Sequence, residues 1–214
     1  MFFTSLVDME DIFNILVSFL PQLVKATIAL LIIVDPLGNI PISISLSNKM
    51  SELERKKAFN TATIVGFFLL VCFTVAGQQI LYFFGISIHS FMIAGGLLLL
   101  IIAIRLLNTE SWHEISSIDT VGAVPIGIPL LVGPGAITST ILNLQIYGLI
   151  VMISAVMITF GIVWIVLSFS NPIYKILGKS GTQVISKLMA LFIAAIAIQY
   201  IQEGIGFLPI NMQN

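Results

Sequence analysis

Six apolar stretches, each long enough to cross a lipid bilayer, constrain this chain more than any other feature. Four of them, at 59–79, 88–107, 147–169 and 184–202, are close to the about 20 residues that one helical crossing needs. The other two, 19–47 and 121–146, are too long for one straight crossing at about 1.5 Å per residue. Each is interrupted midway, the first by "DPLGNIP" and the second by "GPG", and so reads as one crossing made of two half-helices. A chain that is 58% hydrophobic and 9% charged, with mean hydropathy +1.10, cannot hide its apolar surface in a water-soluble fold of 214 residues. The fold class is therefore an all-α membrane protein with six transmembrane crossings, of which the first and fourth are broken.

A net charge of −1 supplies no field to attract nucleic acid, so no nucleic-acid partner is expected; the partner that composition requires is the lipid bilayer. The opening "MFFTSLVDMEDIF" has no positive region and carries Asp8, Glu10 and Asp11, so it does not read as a cleavable signal peptide. Cys72, the single cysteine, lies in an apolar run and reads as a small hydrophobe. With six crossings, Lys49, Arg55, Lys56, Lys57, Arg105, Lys175, Lys179 and Lys187 all fall on one face. The positive-inside rule makes that face cytoplasmic and leaves both termini outside. A run that re-entered and left on the same side would instead scatter these residues over both faces.

The chain also resembles itself. "ILYFFGIS" at 80–87 aligns with "IYKILGKS" at 173–180, "LLIIAIRLL" at 99–107 with "IAAIAIQYI" at 193–201, and "VDP" at 34–36 with "VGP" at 132–134. These pairings occur in order and place Gly85 opposite Gly178. The organisation they predict is a three-helix repeat over 1–107, a polar linker over 108–120, and a second three-helix repeat over 121–214. Three helices per repeat force opposite orientations. Inverted repeats of this kind mark many transporters, whose sites form at midplane where discontinuous helices meet.

The two breaks are the candidate site. Asp35 stands where an N-cap belongs and Pro36 at a first helical position, so a helix is expected to restart at residue 36. "VGPGAIT" repeats the grammar with Gly133 as cap, Pro134 next and Gly135 after it. Each restart presents unpaired backbone N–H groups and a positive dipole end at a depth where leaving them unsatisfied costs several kcal/mol. Asp35, the one carboxylate deep in a crossing, either caps its own half-helix or meets a substrate ammonium and carries a coupling proton. Gly38 and Asn39 complete the first break, with Pro41 closing it; Asn39 is either a polar link between helices or a ligand for substrate. In the second break, Gly133, Gly135 and Ala136 expose backbone donors to an anion or simply kink the helix for packing. Thr138 and Ser139 bond a ligand or their own helix. Pro125 and Pro129 free carbonyls one turn back, as cation ligands or as bends. Gly95–Gly96 is read as a close helix contact through small residues.

Nothing in the sequence suggests catalysis. There is no Ser-His-Asp order, zinc motif or phosphate loop, and no nucleophile and base that pair. His89 and His113 have no second His or Cys at ligand spacing, so no metal is expected, and no cofactor either.

"DPLGNIP", "IAGGLLLLIIAI" and "VPIGIPLLVGPGAI" together resemble the MarC family of bacterial and archaeal membrane proteins, over nearly the whole chain and with both breaks in order. The resemblance implies SnatA-type transport of small neutral amino acids such as glycine and alanine, across a prokaryotic cytoplasmic (inner) membrane. The residues themselves lead to a carrier with a midplane polar site and proton or Na⁺ coupling; the zwitterionic cargo comes from the resemblance. An ion channel lined by carbonyls freed at the breaks is the alternative, and a non-transporting scaffold whose breaks serve packing is a further one. The oligomeric state is left open.

Overall fold

A computed structural model describes residues 9–47, 50–108 and 132–206. Most of them are helical: α1 (Met9–Val34), α2 (Ile40–Ser47), α3 (Glu52–Phe83), α4 (Ile88–Leu107), α5 (Pro134–Ser168) and α6 (Ser170–Gly206). All but α2 are long and apolar enough to cross a membrane, which makes five such helices among the described residues. The linker residues 109–120 and the two prolines Pro125 and Pro129 lie outside the described residues.

At 35 and 37 residues, α5 and α6 would each exceed roughly 50 Å if straight, against a hydrocarbon layer of about 30 Å. They are not straight. Gly148 (φ 77, ψ 169) kinks α5, and Gly178 (φ 64, ψ −175) kinks α6, both in a backbone region open essentially to glycine alone. The kinks divide the chain into segments 134–147, 149–168, 170–177 and 179–206. Gly85, which self-alignment sets opposite Gly178, also has positive φ, 66 against 64. The turn at Gly85 leads into α4, whose N-cap Ser87 accepts a hydrogen bond from the Ser90 N–H at 3.0 Å.

α1 and α3 pack on α5, while the most extensive interface joins α4 to α6. The first group shares one apolar core, with Ala26 and Leu30 from α1, Leu70 from α3, and Met152, Val156 and Val163 from α5. Leu99 and Ala103 of α4 form a second core with Ile193 and Ala197 of α6. Segment 134–147 sits between them, giving Ala136 and Leu144 to the first and Leu142 to the second. Lipid offers no hydrophobic drive for helices to associate, so small residues that let backbones approach matter more. Gly96 fits the expectation of a close contact: a Cβ there would stand 2.6 Å from the Ala197 carbonyl. Phe68, Ile150, Leu191 and Phe192 remain exposed, as lipid-facing positions should.

The two ends of the bundle differ. Ser51 and Glu54 form a reciprocal cap at the start of α3, with Ser51 N–H donating to Glu54 Oε2 at 2.8 Å. With the Asn171 amide turned to suit it, Arg55 donates to that oxygen from Nη1 at 2.6 Å and Nη2 at 3.0 Å. This contact brings Arg55, Lys56 and Lys57 to the end where α6 starts and Lys175 follows. At the far end of α3, Tyr82, Phe83 and Phe84 stand out as exposed aromatics, the side chains favoured at a membrane–water boundary.

Candidate functional site

The first break is built around Asp35. Its N–H still bonds the Leu31 carbonyl at 2.9 Å, as a last helical residue would, but its φ of 41° turns the chain left-handed. Aspartate adopts that region more readily than most residues because its short polar side chain bonds locally. Here Oδ1 accepts from the Gly38 N–H at 3.0 Å, while Asn39 N–H bonds the Asp35 carbonyl at 3.1 Å. The expected cap is thus present, yet the restart at residue 36 is corrected: residues 36–39 form turns and α2 begins at Ile40. The physical cause is the left-handed Asp35, which makes one turn before regular helix resumes. Pro41 is likewise corrected from helix breaker to a first-turn residue of α2, a position where its missing N–H costs nothing.

The carboxylate also reaches the other half of the chain. Ser186 of α6 donates to Asp35 Oδ2 at 3.2 Å, and Asp35 is only 6% exposed. Gly38 lies against both groups: a Cβ there would collide with the Asp35 carboxylate and stand 2.8 Å from Ser186 Oγ. Asn39 Nδ2 donates to the Val34 carbonyl at 2.9 Å, satisfying an acceptor that the end of α1 would otherwise leave bare. Pro36 is buried beside them.

The second break follows its expected grammar more closely. Gly133 is the N-cap of α5 (φ −75, ψ 170), without a side-chain cap, and Pro134 opens the helix. One expected bare donor is corrected. The Ala136 N–H is turned back onto the Gly133 carbonyl at 3.0 Å, leaving Gly135, at the second helical position, as the amide that cannot bond within its own turn. Gly135 is enclosed by apolar atoms: a Cβ would meet Leu99 Cδ2 at 2.7 Å and Ile33 Cγ2 at 3.7 Å. Ile33 stands two residues before Asp35, so the second break lies against the end of α1. Thr138 is buried with its methyl group against Gly95 of α4.

Each break is therefore held by the last long helix of the other half, the first by Ser186 of α6 and the second by Gly95 and Leu99 of α4. Sequence reasoning missed a third polar feature. Ser139 Oγ and Tyr200 Oη lie 3.1 Å apart, Asn143 Nδ2 donates to Ser139 Oγ at 3.1 Å, and Tyr200 Oη donates to Asn143 Oδ1 at 3.2 Å. All three residues are buried. This ring ties segment 134–147 to α6, and resolves Ser139 as neither a free ligand nor a back-bonded hydroxyl; Thr140 is the one that back-bonds, to Ala136 at 2.8 Å. The available signal was the four-residue spacing of Ser139 and Asn143 within an apolar run, which puts both on one helix face. Ser186 had no such signal. No cluster of three metal-ligating side chains occurs among the described residues.

Comparison with known proteins gives consistent matches over most of the chain. A family model described as MarC family integral membrane protein matches residues 20–208. A UPF0056 membrane protein of Archaeoglobus fulgidus is 35% identical over 195 residues, covering 86% of this chain and 92% of the relative. YhcE of Escherichia coli and YvbG of Bacillus subtilis, also UPF0056 membrane proteins, are each 32% identical and cover 88% of this chain, with 94% and 96% of their own lengths matched. No solved structure matches the chain.

Proposed function

The chain belongs to the MarC family of integral membrane proteins, and we propose that it is a secondary transporter of small neutral amino acids, the glycine and alanine class, driven by a proton or Na⁺ gradient across a prokaryotic cytoplasmic membrane. The observation that carries this reading is the crossed support of the two breaks, each resting on the opposite half, at Asp35–Ser186 and at Gly135–Leu99. Relative movement of the halves then opens or closes both breaks together, which is what alternating access needs.

In this reading, segment 134–147 completes a crossing that begins near 121, and the kink at Gly148 separates it from the next. That gives six crossings in two inverted repeats, with the basic residues inside and both termini outside. The substrate lies between the breaks, its ammonium toward Asp35 and its carboxylate toward the Gly133–Ala136 turn. The reverse pose would set two negative charges together, a repulsion of roughly 4 kcal/mol at 4 Å and an effective dielectric near 20. Both Asp35 oxygens already accept hydrogen bonds, so binding exchanges the Ser186 hydroxyl for the ammonium. With Leu99 and Ile102 close around Gly135, this pose suits small cargo best.

Reconstitution in liposomes tests the reading. Labelled glycine, alanine and serine should accumulate in a saturable way under an imposed proton or Na⁺ gradient and show counterflow. Flux that does not saturate favours a channel, and absence of flux under every gradient contradicts the proposal.

A further inference from the structure

Far from Arg55 and Asn171, a shallow cavity of about 810 Å³, open on its outer side, lies between the end of α3, the start of α4 and segment 134–147. Gln78 and Gln79 of α3 and Gln145 of α5 converge on it, with Tyr82 beside them and Leu81 and Ile88 as apolar walls. We propose that this cavity is a weak binding site for small zwitterionic and uncharged polar solutes arriving from water.

The chemistry of the lining sets the class of ligand. A glutamine amide both donates and accepts, so three of them can pair with a carboxylate and an ammonium on the same molecule. The Gln79 nitrogen, in its satisfied orientation, donates to the Val75 carbonyl at 2.8 Å, which leaves its oxygen to accept. No charged side chain lines the cavity. A singly charged solute would therefore lose water without gaining a counter-ion, whereas a zwitterion brings both charges with it. Size sets the strength: the volume lies within the about 300–1,000 Å³ of small-molecule sites but far exceeds one amino acid, so each occupant touches few walls at a time.

Position gives the cavity its role. Gly77, next to Gln78, takes Ile141 of segment 134–147 into its notch, where a Cβ would stand 2.5 Å from Ile141 Cγ1. This tight contact lies one helical turn inward of Leu81 and Gln145, which line the cavity. Beyond it, the ring of Ser139, Asn143 and Tyr200 continues along the same segment toward Gly135. A solute held by Gln145 thus waits at one end of the segment whose other end forms the second break. The proposal takes from the transport reading only its choice of alanine as probe.

Thiol protection tests it. With Cys72→Ser as background, Gln78→Cys, Gln145→Cys and Ile205→Cys are each prepared in nanodiscs, where both faces meet water, and reacted with a charged thiol reagent. Alanine at about twice its dissociation constant should slow labelling at 78 and 145 about threefold, the factor 1 + [L]/Kd, and leave 205 unchanged. Acetate and ethylamine should protect neither. The same protection should persist with Asp35→Asn, because occupancy of the cavity does not need the breaks. Failure of the reagent to reach 78 and 145, absence of protection, or loss of protection with Asp35→Asn would each overturn the proposal. A second measurement avoids the cysteine variants: with Asp35→Asn to weaken binding at the breaks, saturation-transfer NMR of alanine should report binding that adding Gln78→Leu and Gln145→Leu removes, and an unchanged signal counts against the site. Protection without liposome uptake would sink the transport reading and leave the cavity standing; uptake without protection would do the reverse.

Discussion

Asp35 does three things that rarely fall to one side chain. It ends α1 in a left-handed conformation, caps the following turn through Gly38 N–H, and accepts from Ser186 across the halves. Asparagine can do the first two and cannot exchange a proton. Asp35→Asn is therefore expected to elute and melt like the parent protein while losing gradient-driven uptake, and wild-type uptake from this variant would remove Asp35 from coupling. The glycines of the two breaks make a sharper contrast. Gly38 lies against the Asp35 carboxylate and Ser186, whereas no described atom comes within 4 Å of a Cβ built on Gly133. Gly38→Ala should cost about 1–3 kcal/mol by overpacking, and Gly133→Ala only alanine's weaker N-cap preference, about 0.5–1 kcal/mol, as read by thermal unfolding in detergent. Equal losses at both positions would mean that backbone freedom, not the crossed support, is what the glycines provide.

Elements were legible in the sequence where composition and punctuation agreed. The apolar runs at 59–79 and 88–107 fall inside α3 and α4, and Gly133–Pro134 opens α5 as its grammar requires. The restart at 36 failed because Asp35 caps the next turn while itself left-handed, so residues 36–39 turn before regular helix resumes at Ile40. Tyr200 was unreadable for a related reason: its partners Ser139 and Asn143 lie 61 and 57 residues away in sequence, and no local pattern links them. The kinks were half legible, through the pairing of Gly85 with Gly178. Gly148 and Gly178 occupy a backbone region nearly closed to other residues, with open space where a Cβ would go. Alanine at either should cost about 1–3 kcal/mol through backbone strain alone. Gly161, equally open but inside a regular stretch of α5, is the control, and alanine there should be neutral or slightly stabilising. Matching melting temperatures for all three variants would contradict the kinks.

The whole molecule is an integral membrane protein of the MarC family in which a buried carboxylate at the first break is joined to the last long helix by Ser186. Its orientation is open to a direct check. In a Cys72→Ser background, cysteines replacing Glu10 and Ile210 should react with an impermeant thiol reagent added to intact cells, and ones replacing Glu54 and Lys179 should not. Labelling at both 54 and 210 would refute six crossings. The central claim, that opposed breaks hold the two charges of a small zwitterion, is tested most directly by competition in liposomes during labelled glycine uptake. Alanine should compete, while glycine methyl ester, without the carboxylate charge, and acetate, without the ammonium, should each fail. Either analogue inhibiting as well as alanine would contradict the account.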